Sequence, residues 1–255
     1  MKIRVLGCSG GIGGRHLRTT SLLVDQDILI DAGTGVEELS LAELRAIDHV
    51  FITHSHLDHI ASLPMMVDTV GETRQKPITV HATAETIAIL RDHVFNWKVW
   101  PDFTVIPDAQ APFMHFSTIA LDETLVFGKR RITVLPAEHT VPAVGYLVES
   151  GRSALAFTGD TGVNDGLWPR LNKLTHLRYL IIETAFPDAQ RELALASKHL
   201  CPSMLASELA RLTRYPEVYI THLKPGRIEE TMSEIETVAA AYKPRMLQNN
   251  QIFDL

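Results

Sequence analysis

Residues 52–60 read ITHSHLDHI, and this stretch places His54, His56, Asp58 and His59 within six positions. The residues before it, Val50, Phe51 and Ile52, form an apolar run that reads as a buried strand. Imidazoles and carboxylates are costly to desolvate unless they pair or hold a metal, so crowding them where a strand runs out points to a metal. Four such groups in six residues cannot all reach one small ion. The spacing therefore predicts more than one ion, with further ligands from elsewhere in the chain.

Those ligands are expected where other apolar runs end. His139 closes RITVLPAEH, Asp160 closes SALAFTGD and His222 closes VYITH. Side chains from separated parts of a chain converge at strand ends. His54, His56 and His139 can make one site and Asp58, His59 and His222 a second, with Asp160 bridging the two. Nitrogen-rich, thiolate-free ligation suits catalytic zinc. Asp31, at the end of ILID, is positioned to orient the cluster through hydrogen bonds. Taken alone, a strand-end histidine such as His139 or His222 is more often a surface or hydrogen-bonded residue; the 54–59 cluster is what draws them in.

The rest of the chain is ordinary for a globular protein: 255 residues, 45% hydrophobic and 21% charged, with 24 basic and 30 acidic residues for a formal charge of −6. That balance argues against broad nucleic-acid or anionic-membrane binding. The N-terminal MKIRVLG reads as a strand and lacks the apolar core of a signal peptide. No run of ~18 apolar residues suggests a bilayer span. Cys8 and Cys201 make neither a disulfide framework nor a zinc ribbon. A cytoplasmic enzyme forming one domain over residues 1–255 is the expectation.

Strands are expected at KIRVLG, SLLVD, DILID, the run into ITHSHLDH, PITVHA, a meander of RITVLPAEH, AVGYLVES and SALAFTGD, then YLIIET and VYITHL. One final strand is expected over RMLQNNQIFDL. Helices are expected in VEELSLAELRAI, IASLPMMVDTVGE, TAETIAILRDHVF with Thr83 as its N-cap, LWPRLNKL, PSMLASELARL and IEETMSEIETVAAAY. Residues 97–113 read as irregular. The pattern is mixed α/β (α+β), two packed sheets with helices outside.

The ordered set THSHLDH, His139, Asp160 and His222 resembles the metallo-β-lactamase superfamily over nearly the whole chain. The resemblance implies a four-layer αββα sandwich with a dinuclear site at one edge of the sheets. His56 stands where redox members carry a glutamate and bind iron, which favours hydrolysis on zinc. HSHLDHIASLP, HVFNWKVWPDF and THLKP look most like the class II 3′,5′-cyclic-nucleotide phosphodiesterases, although Ala61 and Ser62 replace a more usual small-glycine pair. That likeness implies two Zn2+ per chain, with Mn2+ as the alternative, cAMP or cGMP as the substrate, and a homodimer as a common assembly.

In that reading a metal-bridging hydroxide attacks phosphorus, since metal binding brings water's pKa toward ~7. Asp58 binds one ion and orients the nucleophile. By resemblance His199 is the proton donor to the leaving alkoxide and Glu183 the acid that holds it. Ser9, Gly10, Gly11 and Thr20, with Thr19 nearby, are candidate phosphate contacts, a tight turn accounting for the glycines equally well. Trp97, Trp100 and Phe103 fit a core or dimer interface better than a purine platform. His16, His49, His81, His93, His115 and His176 carry no expected role.

Three enzyme activities and one non-enzyme compete with this reading, the first of them a phosphodiesterase acting on a different small cyclic phosphodiester. Ribonuclease Z shares the metal core but generally carries a Gly-, Pro- and Lys-rich arm for tRNA, absent here, and the acidic charge disfavours a polyanion. A thioester or lactone hydrolase shares THSHLDH but needs no acid for a poor alkoxide leaving group. A metal-binding scaffold or nucleotide sensor is disfavoured by the complete ligand set.

Overall fold

Val50 and Phe51 are neighbours and both fully buried, yet they lie in different cores. Successive side chains of a strand point to opposite faces, so a strand buried on both sides needs a layer on each. The computed structural model, which describes residues 1–14 and 16–255, supplies those layers. One seven-stranded sheet contains β1 (Lys2–Gly7), β2 (Ser21–Val24), β3 (Ile28–Ile30), β4 (His49–Phe51), β5 (Ile78–Ala82), β6 (Met114–Thr118) and β14 (Ile252–Asp254), in the order β14-β1-β2-β3-β4-β5-β6. The second contains β7 (Thr124–Phe127), β8 (Arg130–Pro136), β9 (Val144–Glu149), β10 (Ala154–Phe157), β11 (Leu177–Glu183), β12 (Glu217–Thr221) and β13 (Arg245–Met246), in the order β13-β12-β11-β10-β9-β8-β7.

Between the sheets, Ile3, Val5, Ile28, Ile30 and Phe51 meet Ile132, Val134, Tyr146, Phe157 and Ile181. Outside the first sheet, Leu29, Val50 and Val80 pack under α3 (Leu63–Val70) and α4 (Ala84–His93), with α1 (Leu41–Ala46) and the single turn α2 (Leu57–Ile60) beside them. Outside the second, Leu180, Ile182 and Ile220 pack under α5 (Trp168–Leu171), α7 (Pro202–Leu209) and α8 (Ile228–Val238), with α6 (Arg191–Ser197) at the margin. This is the expected four-layer αββα sandwich. No helix among the described residues is long and apolar enough to cross a membrane.

Several local expectations change. The helix expected over VEELSLAELRAI is a 3-10 turn (Thr34–Glu38) followed by α1, because Ser40 begins a new helix through a capping box with Glu43. IASLPMMVDTVGE is likewise divided: α2 ends at Ile60 and α3 restarts after Ser62, with Pro64 in its first turn where a missing N–H costs little. RMLQNNQIFDL is two strands in different sheets, separated by a turn in which Asn250 has φ +63°. Strands β6 and β7 were not expected at all. Thr83 does cap α4, its hydroxyl accepting from the Thr86 N–H. Phe103 is buried and Trp100 packs on the outer core, while Trp97 is exposed.

Candidate metal centre

The strand ends deliver the expected groups to one place. Beyond β4, the Ile52 carbonyl accepts from the Tyr146 hydroxyl (2.7 Å) and the Thr53 N–H donates to Asp31 Oδ1 (2.8 Å), fixing the backbone that enters His54. His56 is the N-cap of α2, and that turn sets Asp58 and His59 on the following residues. His139 follows β8, Asp160 follows β10 and His222 follows β12. Asp31 and His222 have φ values of +59° and +64°, a region non-glycine residues adopt at a cost.

Both expected ligand sets come together among three ligand-sized groups, each with donor atoms within 4.8 Å of one another: His54 with His56 and His139, and Asp58 with His59, Asp160 and His222. Asp160 Oδ2 lies 3.3 Å from His59 Nε2 and 3.7 Å from His54 Nε2, while its Oδ1 lies 3.2 Å from His222 Nδ1. Asp160 thus stands between the two groups.

Hydrogen bonds fix which nitrogen each ring turns inward. His59 Nδ1–H donates to Asp31 Oδ2 (2.7 Å), and His139 Nδ1–H to the Lys198 carbonyl (3.1 Å). The Thr53 hydroxyl donates to Asp31 and accepts from His54 Nδ1–H (3.0 Å). In all three rings this leaves Nε2 as a bare lone pair. The Nε2 atoms of His54 and His59 are fully buried and have no hydrogen-bond partner, and His139 Nε2 faces His56 Nδ1 at 3.1 Å. Buried lone pairs converging without a donor are costly, and a divalent cation satisfies them. The donor set fits zinc chemistry.

The electrostatics agree. Burial pushes the His54 and His222 imidazoles well below their ordinary range and His139 down to about 4, keeping these rings neutral and able to ligate at neutral pH. Burial also opposes charge on His59, but the Asp160 and Asp31 carboxylates outweigh it and raise that ring well above its usual value. A cation there competes with a proton for one lone pair. Burial opposes ionisation of Asp160, yet the surrounding His222 and His59 rings hold it well below the carboxylate range.

Beside the ligands, His199 Nδ1 lies 2.7 Å from Glu183 Oε1, and both residues are buried. Burial disfavours a charged His199, but Glu183 reverses this and raises the imidazole. The ring stacks on His222 at 5.0 Å between centroids and meets His139 at 4.9 Å. His199 also forms a ligand-sized group with His139 and Asp160.

The glycine-rich turn behaves differently from its expected role. The Ser9 N–H donates to the Arg18 carbonyl (2.9 Å) and the Gly10 N–H to the Leu223 carbonyl (3.1 Å), so neither amide is offered to a phosphate. Ser9 also lines a cavity of about 400 Å3 with Cys8, Leu223, Ile228 and Leu247, and no candidate ligand is among its lining residues. Gly10 is there for room: a Cβ would stand 2.3 Å from the His222 carbonyl oxygen. Gly11 rests against Pro225, and Thr20 is buried, its carbonyl accepting from the Gly33 N–H (2.9 Å). Thr53, Lys198 and Lys224 were not anticipated. Lys224 Nζ donates to the Gly10 carbonyl (2.7 Å) and lies 3.3 Å from His222 Nε2. The only sequence signal was the motif THLKP, in which the lysine follows the ligand histidine by two.

The sequence profile described as "Beta-lactamase superfamily domain" matches residues 26–240. A Yersinia pestis protein named "Probable 3′,5′-cyclic-nucleotide phosphodiesterase" is 31% identical over 206 residues, 71% of this chain and 58% of that protein. A Clostridium beijerinckii protein named "Ribonuclease Z" is 32% identical over 155 residues, 56% of this chain and 47% of that protein. The chain thus spans about half the length of these relatives. The crystal structure of unliganded yeast PDE1 superposes with a TM-score of 0.82 at 19% identity, covering 100% of this chain and 99% of that one, a likeness of fold.

Proposed function

We propose, from the premise that this chain belongs to the metallo-β-lactamase superfamily, that it is a dinuclear metal-dependent hydrolase converting 3′,5′-cyclic nucleotides to 5′-monophosphates. The observation that carries the phosphodiester assignment is the Glu183–His199 pair beside the ligand cluster. A phosphodiester leaves as an alkoxide that needs a proton, and an imidazolium held by a buried carboxylate is an acid suited to supply it. The Yersinia pestis relative's name supports the same substrate class.

His54, His56 and His139 would hold one ion, Asp58, His59 and His222 the other, and Asp160 both; zinc fits the donors, with manganese as the alternative. When bound, such a pair supplies Lewis acidity that acidifies water and neutralises phosphate charge. Asp58, which with His56 is partly exposed among the seven, accepts a hydrogen bond from the attacking water and orients it. Water attacks phosphorus and gives up a proton to Asp58 as the P–O3′ bond breaks and His199 passes its own proton to O3′. Glu183 holds the imidazole in place and stabilises its charged form. This reading takes residues 1–255 as one domain, which the pairing of β14 with β1 in the first sheet supports. A cytoplasmic homodimer is part of this reading, checked by fractionation and by sedimentation.

A ribonuclease Z-like activity is the second reading, favoured by the relatives of that name. One preparation decides: metal content, with hydrolysis of bis-p-nitrophenyl phosphate, cAMP, cGMP, 2′,3′-cyclic AMP, a precursor tRNA and a thioester. About two metals per chain with 3′,5′-cyclic nucleotide cleaved to the 5′-monophosphate is the expected result. Turnover of only the tRNA or the thioester would reassign the substrate, and fewer than two metals would undo the ligand sets.

A further inference from the structure

Next to the metal cluster is a shallow cavity of about 170 Å3, lined by Glu138, Val163, Leu195, Lys198, His199 and Met204. It is smaller than the ~300 Å3 at which sites for whole drug-sized ligands begin, so it has room for a ring system but not a complete nucleotide. Val163 and Leu195 are half exposed aliphatic walls without cover, at 50% and 49% of their surface. Apolar walls flanking a few fixed polar groups are the usual make-up of a small-molecule subsite. His199 lines one side and Lys198 Nζ stands 4.0 Å from Glu138 Oε2 at the same opening.

The charged pair is tied to the centre through its backbone. The Glu138 N–H donates to Thr161 Oγ1 (2.9 Å), its carbonyl accepts from Gly162 N–H (2.8 Å), and the next residue is His139. The Lys198 carbonyl accepts from His139 Nδ1–H (3.1 Å). Lys198 ends α6 in the left-handed region, φ +52° and ψ +50°, where helices usually place glycine. A lysine in that conformation keeps a long cationic side chain at a position where the backbone alone favours its absence. Neither side chain has another ionic partner among the described residues.

We propose that this cavity takes the base of the cyclic nucleotide and that the Glu138–Lys198 pair selects guanine over adenine. This inference rests on the cyclic-nucleotide reading above and names the substrate within it. Guanine's Watson–Crick edge carries two adjacent donors, N1–H and N2–H, beside the O6 acceptor. A carboxylate accepts both donors at once while a neighbouring ammonium donates to O6, giving three charge-assisted bonds. Adenine offers one donor, N6–H, and one acceptor, N1, at the same edge, so one carboxylate oxygen is left without a partner. A site built to bond a group discriminates against an analogue that lacks it, because its own polar atoms are left unpaired.

The test is the ratio of kcat/KM for cGMP to that for cAMP on the metal-loaded enzyme. One bidentate contact predicts a preference for cGMP of about tenfold or more. Glu138→Ala should bring the ratio toward one, and Lys198→Met should lower it. If Glu138→Ala does not fold, the isosteric Glu138→Gln serves, since its amide places a donor against the guanine N–H groups. Parity, a cAMP preference, or a cGMP preference that survives these substitutions would overturn the assignment while leaving the phosphodiesterase reading intact. If neither nucleotide is hydrolysed, that reading fails and the base site is judged by calorimetry with GMP and AMP. Tighter GMP binding that is lost in Glu138→Ala supports the site; equal or absent binding removes it.

Discussion

His199 Nδ1 and Glu183 Oε1 are 2.7 Å apart, at the meeting of the end of β11 with the turn that follows α6. Glu183 is completely buried and shares the Thr161 N–H (3.1 Å), so the carboxylate is fixed on two sides and the imidazole must come to it. In the proposed mechanism His199 carries a proton rather than a metal. His199→Ala should therefore lower kcat about 10²–10⁴-fold with the metal content unchanged by elemental analysis. Loss of metal in this variant would make His199 a ligand, the role its place beside His139 and Asp160 otherwise allows.

Asp31 has no exposed surface, and its carboxylate takes the His59 Nδ1–H together with the Thr53 amide and hydroxyl. It turns two rings, since Thr53 in turn holds His54. Outer hydrogen-bond partners of ligand histidines typically account for 10–100-fold in metal affinity. Asp31→Ala should weaken zinc binding by about that factor in a competitive chelator titration. Unchanged affinity would limit Asp31 to a folding role.

Stripping the metals with a chelator should destabilise the fold, because the buried lone pairs of His54 and His59 lose their partner. A site at 100 times its Kd contributes ~2.7 kcal/mol, and at roughly 2–4 °C per kcal/mol for a chain of this size the expected fall in Tm is about 5–10 °C. Calorimetry before and after chelation, then after adding zinc back, checks both the loss and its reversal.

Gly10→Ala tests the close approach of the first turn to the ligand loop. The added methyl would meet backbone, the His222 carbonyl at 2.3 Å, rather than a flexible side chain. Overpacking of this kind costs about 1–3 kcal/mol, and the strain falls on the segment that carries His222. Lower Tm together with weaker metal binding is expected. Gly14→Ala, with nothing within 4 Å but φ +60°, separates backbone strain from the clash.

His81 contributes a pH dependence to stability away from the ligand cluster. It stacks on Phe51 at 4.4 Å, lies 3.1 Å from His49 Nδ1, and burial pushes its imidazole down to about 4. An unfolded histidine titrates near ~6.5. The folded state therefore binds fewer protons in that window, so the contribution is whole above ~6.5 and is lost as pH falls toward about 4, by at most about 3 kcal/mol. In urea unfolding, the wild-type chain should lose more stability from about pH 7.5 to about pH 5 than His81→Gln does. Equal losses would show that the ring titrates as freely in the fold as out of it.

Most of the ligand set was legible because its chemistry is local. His54 to His59 are joined by one strand end and one helical turn, and no fold is needed to see that so many donors at a buried site point to a cation. His139, Asp160 and His222 were legible for a related reason, since each ends an apolar run that must itself be a strand. The glycine-rich turn was less legible because a glycine says only that a side chain does not fit. What excludes the side chain, here the His222 carbonyl, comes from a residue more than two hundred positions away.

The sequence by itself determined the layers and the inventory of the centre: alternating apolar residues specify strands buried on both faces, and polar residues at their ends can be buried only in company. Tertiary structure alone decided the rest. It split the last segment between two sheets, turned Nε2 of His54, His59 and His139 inward through Thr53, Asp31 and the Lys198 carbonyl, and set Glu138 opposite Lys198. Each of these depends on hydrogen bonds between residues distant in the chain or on backbone angles such as Lys198's. Local composition carries periodicity and donor type, but it carries neither direction nor distance.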